Sequence, residues 1–156
     1  MLRQGFEDNR DESAEPRVRV LVVDDEPVQL ESIARGLRLY GYECVGAAGA
    51  FEAMDVLYGI GGRGGGVDVL VTDLTMPRRS GNDLIKIVRA FRPDLPIVVI
   101  TGLNPTPEIE EFERQGIPVI PKPFDAGKLD RDIRALLANV NDRGSARVTE
   151  QEGEGV

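Results

Sequence analysis

The chain contains no histidine. The commonest metal ligand, the commonest general base and any histidine phosphodonor are thereby excluded from it. It has a single cysteine, Cys44, so no internal disulfide can form. The apolar stretch around Cys44 marks it as a small buried hydrophobe. Cations are in the minority: 19 Lys and Arg stand against 27 Asp and Glu, a net charge of −8. A nucleic-acid partner is not expected, because no basic excess exists to neutralise phosphates. No apolar run approaches the ~20 residues of a membrane helix. The opening MLRQGFEDNRDESAEPR has no apolar core of the secretory type. A cytoplasmic protein without membrane contact is expected. Chemistry, if present, must come from carboxylates, Lys, Ser or Thr, or a bound metal.

What is present is ordinary for one globular domain: 156 residues, 41% apolar and 29% charged. Residues 1–16 are polar and mixed in charge and suggest a flexible N-terminal arm. Residues 140–156 lack apolar periodicity and suggest a flexible tail, which leaves an ordered domain at 17–139. Inside it, short apolar runs alternate with helical spacing. Strands are expected at Val18–Val23, Tyr42–Ala47, Val67–Thr72, Pro96–Thr101 and Ile117–Ile120. Residues 27–39 carry Leu30, Ile33, Ala34 and Leu37 on one helix face, ended by Gly41. Further helices are expected over 51–58, 82–91 and 107–115. Thr106 is suited to cap the last of these, with Pro107 in its first turn. Asp125 then caps a final helix with a stripe of Leu129, Ile133, Leu136 and Leu137. This alternation implies an α/β fold with a parallel sheet. The near-continuous apolar runs imply helices on both faces.

Gly59–Gly66 contains G-x-G-x-x-G. A dinucleotide site needs that motif between a strand and the following helix. Here it follows a helix and precedes a strand, which favours a loop.

The chemistry gathers at the strand ends. Asp24 and Asp25 close the first strand, Asp73 the third, and Thr101 and Gly102 the fourth; Lys122-Pro123-Phe124 follows the fifth. In a parallel sheet these carboxyl ends share one edge. Ligands bind there, at the crevice where chain order reverses. For strand order 2-1-3-4-5 the crevice lies between strands 1 and 3, which deliver the aspartates. Each piece alone has a plain explanation: a helix cap, a turn residue, a surface lysine, a turn glycine at Gly81. Together, carboxylates at ~4 Å repel by ~1–4 kcal/mol per pair. A cation resolves that conflict, and an all-oxygen set favours Mg²⁺.

The segments VLVVDDEP, DLTMPRRSG (Asp73 to Gly81), IVVITG and KPF resemble, in order and spacing, the signatures of response-regulator receiver domains. The resemblance covers roughly residues 17–139. It implies a flavodoxin-like, doubly wound five-stranded parallel sheet of order 2-1-3-4-5. It implies Asp73 as phosphoacceptor, with a histidine kinase or histidine phosphotransfer protein as donor. It also implies Mg²⁺ bound by Asp25, Asp73 and the Thr75 carbonyl, with Asp24 acting through water. Lys122 would contact the carboxylate and phosphoryl oxygens, Thr101 would bond the phosphoryl group, and the Lys122-Pro123 peptide would be cis. The domain would catalyse its own phosphorylation and dephosphorylation without being a classical enzyme.

Two departures stand out. The family usually has Tyr or Phe three residues before the lysine, where this chain has Val119, and the segment Gly116–Lys122 is one residue short. The positions two beyond the phosphoacceptor and two beyond the threonine are Thr75 and Leu103. These are weak at orienting water, so slow loss of the phosphoryl group is expected. Two other classes bear comparison. Aspartate-nucleophile phosphatases typically have a second Asp two residues beyond the first, where this chain has Thr75. A pseudo-receiver with a dead site conflicts with the intact Asp24, Asp25, Asp73, Thr101 and Lys122. No second domain follows in the sequence, so a fused DNA reader is not expected.

Overall fold

Strands that are apolar at successive positions present apolar side chains on both faces, and the chain covers both by returning over the sheet between strands. In this computed structural model, residues 17–59, 66–74, 81–102 and 106–154 are described, with side chains through Asn141. The elements are β1 (Arg19–Val23), α1 (Pro27–Leu39), β2 (Glu43–Ala47), α2 (Ala50–Tyr58) and β3 (Val69–Asp73), followed by α3 (Gly81–Phe91), β4 (Ile97–Thr101), α4 (Pro107–Arg114), β5 (Val119–Pro121) and α5 (Ala126–Glu154). The sheet order is β2-β1-β3-β4-β5 and every pairing is parallel, the doubly wound fold that the strand and helix alternation implied.

Strand periodicity divides the core into two layers. Leu21, Val23, Leu70, Ile97 and Val99 pack with the inner faces of α2, α3 and α4. Val20, Val22, Val69, Val71, Val98 and Ile100 pack with Ile33 and Leu37 of α1 and with Leu129 and Ile133 of α5. The expected caps are in place. The Thr106 hydroxyl accepts from the Ile109 amide at 3.2 Å, and the Asp125 carboxylate accepts from the Gly127 amide at 2.9 Å. Gly41 lies just beyond α1 with φ 92°, a left-handed turn that suits glycine.

The ladders are shorter than the apolar runs. Val67 and Ile117 are buried yet precede β3 and β5, because burial extends past the last strand-to-strand pair. A larger difference lies at the C-terminus. The segment 140–156 was expected as a tail, but the α5 backbone continues as helix to Glu154. Apolar periodicity reports packing, whereas backbone helix needs no apolar stripe, and no proline interrupts residues 140–154. The expected N-terminal arm, 1–16, lies outside the described residues. No helix among the described residues is long and apolar enough to cross a membrane.

One polar network ties the turn before β2 to α5. The Tyr42 hydroxyl donates to Asp130 Oδ1 at 2.6 Å, and Arg134 Nε donates to the same oxygen at 3.0 Å. Burial, and then the Asp130 carboxylate, push the Tyr42 phenol pKa upward. Tyr42→Phe removes a charge-assisted bond and leaves the buried Asp130 one donor short. It is expected to cost about 2 kcal/mol, seen as a lower urea midpoint with unchanged slope. An unmoved midpoint would show that the bond adds nothing.

Candidate functional site

The carboxyl ends of β1, β3, β4 and β5 bring one acidic and one basic group set to a single edge. Asp24 follows β1 and its amide donates to Ala47 O at 3.1 Å, continuing the parallel pairing. Its side chain is 1% exposed. Oδ1 accepts the Glu26 amide at 2.9 Å. Oδ2 is buried and has no hydrogen-bond partner among the described residues, while Lys122 Nζ stands 3.8 Å away. Asp73 closes β3 and is also buried, with Oδ2 3.5 Å from the same ammonium. Asp25 is exposed. Asp24, Asp25 and Asp73 can each place one oxygen within 4.8 Å of the others.

Thr101 closes β4, buried, and β4 pairs Ile100 with Asp73, so Thr101 stands one step beyond Asp73 on the neighbouring strand. The Lys122 amide donates to Thr101 O at 2.9 Å, which fixes the start of the β5–α5 turn against β4. The Lys122-Pro123 peptide is cis, as the resemblance implied. Val119 pairs with Val99 and packs, half-buried, on the α2–α3–α4 layer. Thr75, named as a backbone ligand, and Leu103 lie outside the described residues, as do residues 60–65 of the glycine-rich segment. The thiol of Cys44 is pushed up to about 11 by burial, in keeping with a packing role.

Three residues that shape this edge were given no role from the sequence, Glu26 and Gly81 standing only inside the signature segments and Thr72 outside them. Thr72 Oγ1, fully buried, donates to the Asp73 carbonyl at 2.9 Å. Gly81 backs onto that same carbonyl: a Cβ there would collide with Asp73 O and lie 2.9 Å from Leu74 Cα. Glu26 supplies the amide that holds Asp24 Oδ1.

The donor set fits a cation. Burial raises the Asp24 pKa, the Asp73 and Asp25 charges raise it further, and the Glu26 amide and Lys122 only partly oppose them. An ionised, buried carboxylate with one unbonded oxygen beside two like charges calls for a positive partner. All the donors are oxygens, a set that fits a hard divalent ion such as Mg²⁺. Asp24→Asn keeps the acceptor for Glu26 and removes the repelling charge. Without divalent ions at neutral pH it is expected to stabilise the fold by on the order of 1 kcal/mol, or about 3–5 °C. Because the folded pKa is raised, the wild-type charge penalty sets in as pH rises and is absent where Asp24 holds its proton. The advantage of the variant should therefore shrink in acid. A thermal-melt series across pH checks this, and a variant less stable than wild type at neutral pH contradicts it.

The family model of the response regulator receiver domain matches residues 20–134. Response regulator MprA of Mycobacterium bovis is 33% identical over 130 residues, which make up 83% of this chain and 54% of that protein. The MprA of a Mycobacterium sp. strain is 34% identical over 121 residues, 77% of this chain and 50% of that one. Among solved structures, a response regulator receiver protein from Pseudomonas putida is 35% identical with TM-score 0.69, covering 78% of this chain and 99% of its own. A CheY-like receiver from Methanospirillum hungatei shares the fold at TM-score 0.72 and 23% identity, covering 82% of this chain and 99% of its own. The chain belongs to the response regulator receiver family, the signalling modules of two-component systems rather than classical enzymes. It spans about half the length of the curated relatives it matches.

Proposed function

We propose that the receiver, residues 17–139, accepts a phosphoryl group on Asp73 from a histidine kinase or a histidine phosphotransfer protein in the cytoplasm, and signals by conformational change. The observation that carries this reading is the Lys122 ammonium set against two buried carboxylates, Asp73 at 3.5 Å and Asp24 at 3.8 Å. Phosphoryl transfer asks chiefly for positioning and charge neutralisation.

An Asp73 oxygen attacks phosphorus in line as the donor's bond to phosphorus breaks, and the donor departs with its electron pair and takes up a proton. Lys122 pairs with Asp73 beforehand and with the phosphoryl oxygens afterwards. Thr101, on the adjacent strand, donates its hydroxyl to the transferred group. Asp24, Asp25, Asp73 and the Thr75 carbonyl would hold Mg²⁺. Partial neutralisation of the phosphoryl oxygens is the chemistry the bound ion supplies. The same groups serve hydrolysis of the acyl phosphate, which Thr75 and Leu103 are poorly suited to speed.

Val119 has no ring to turn toward Thr101, so the signal is routed through the loop after β4 and through α4. The test is intact mass after incubation with a small acyl phosphate. A gain of one phosphoryl mass with Mg²⁺ and none with chelator is expected. No gain under either condition contradicts the reading.

A further inference from the structure

β3 reads Val-Leu-Val-Thr-Asp and is buried throughout. A hydroxyl within such a strand loses water and is tolerated only with a partner. Valine would fill nearly the same volume without that cost. Alternation directs Thr72 to the face of Leu70, the side covered by α3, and Asp73 to the opposite face. The Thr72 hydroxyl turns along the chain to the Asp73 carbonyl at 2.9 Å. On its other side the same carbonyl meets Gly81, where no Cβ fits. The Gly81 amide then donates to Leu74 O at 3.0 Å. The peptide immediately after Asp73 is thus held from within its own strand and from the first residue of α3.

We infer that Thr72 is a positioning residue for the acidic site: its hydroxyl fixes the Asp73–Leu74 peptide so that the Asp73 carboxylate stays in register with Asp24, Asp25 and Lys122. The inference rests on the phosphoacceptor role of Asp73 for its kinetic consequence, and on the carboxylate cluster alone for its binding consequence. Loss of the hydroxyl frees the peptide to rotate, and a small rotation at Cα displaces carboxylate oxygens that must lie within 4.8 Å of two others. Groups that orient metal ligands from behind typically matter about 10- to 100-fold in affinity or activity.

The experiment compares Thr72→Val, Thr72→Ser and Thr72→Ala with wild type, well below every melting temperature. Mg²⁺ dissociation constants come from calorimetry and phosphorylation rates from intact mass. Thr72→Val is expected to weaken Mg²⁺ about tenfold and slow phosphorylation to a similar degree, with Thr72→Ser near wild type on both. If Thr72→Val does not fold, the Ser and Ala variants isolate the hydroxyl, and Ala alone should show the loss. A lower melting temperature with unchanged Mg²⁺ constants and rates, or equal losses in Ser and Ala, overturns the inference. A wild type that binds Mg²⁺ but takes no phosphoryl group refutes the phosphoacceptor reading, and Thr72 is then judged on the Mg²⁺ constants. A wild type that does neither overturns both.

Discussion

Asp73→Asn is expected to end phosphoryl uptake while leaving the fold intact. The amide matches the carboxylate in size and keeps one acceptor oxygen, so the buried end of β3 stays filled. It loses the ion pair with Lys122 at 3.5 Å and the repulsion from Asp24 and Asp25. These oppose each other, and the melting temperature should move little. The chemistry moves a great deal, because an amide oxygen is a far poorer nucleophile than a carboxylate. A loss of at least about a hundredfold in rate, ~2.7 kcal/mol of barrier, is the expected result in a time course of intact mass. Uptake at the wild-type rate would remove Asp73 from the role assigned to it.

Gly81→Ala is expected to be the most damaging single-methyl change at the site. Gly81 is buried at the start of α3, and the added Cβ meets backbone: the Asp73 carbonyl, with its carbon and Leu74 Cα both 2.9 Å away. Flexible side chains can yield to such a contact, but the backbone at the buried end of a central strand, Asp73 and Leu74, yields far less. The cost is expected to be about 3 kcal/mol, or roughly 10 °C in melting temperature. The carbonyl pushed aside is the one Thr72 holds, so Mg²⁺ binding should weaken as well. An alanine variant with wild-type melting and Mg²⁺ affinity would show that this corner is loose.

The sequence conveyed the fold well where one face of an element is buried. Pro27–Leu39 is bounded by a proline and a left-handed glycine and carries a clean apolar stripe, and the structure gives the same helix. The polar end of α5 has no such stripe, so periodicity was silent where backbone propensity still builds helix. The acidic site was legible for a topological reason: a parallel sheet aligns every strand's carboxyl end on one edge, so Asp24, Asp73, Thr101 and Lys122 needed no coordinates to be placed together. Contacts that tertiary structure alone creates were not legible. Thr72 passes for a β-branched strand former, and Gly81 for a turn residue until the carbonyl behind it is seen. Tyr42 and Asp130 are 88 positions apart, with nothing local to connect them.

The central claim is that one carboxylate, Asp73, carries the phosphoryl group. Borohydride reduction of the phosphorylated protein converts an acyl-phosphate aspartate to homoserine, and peptide mass spectrometry then locates the change. The account predicts homoserine at Asp73, dependent on Mg²⁺ and on the phosphodonor. Homoserine at Asp24 or Asp25 with Asp73 unmodified would contradict it.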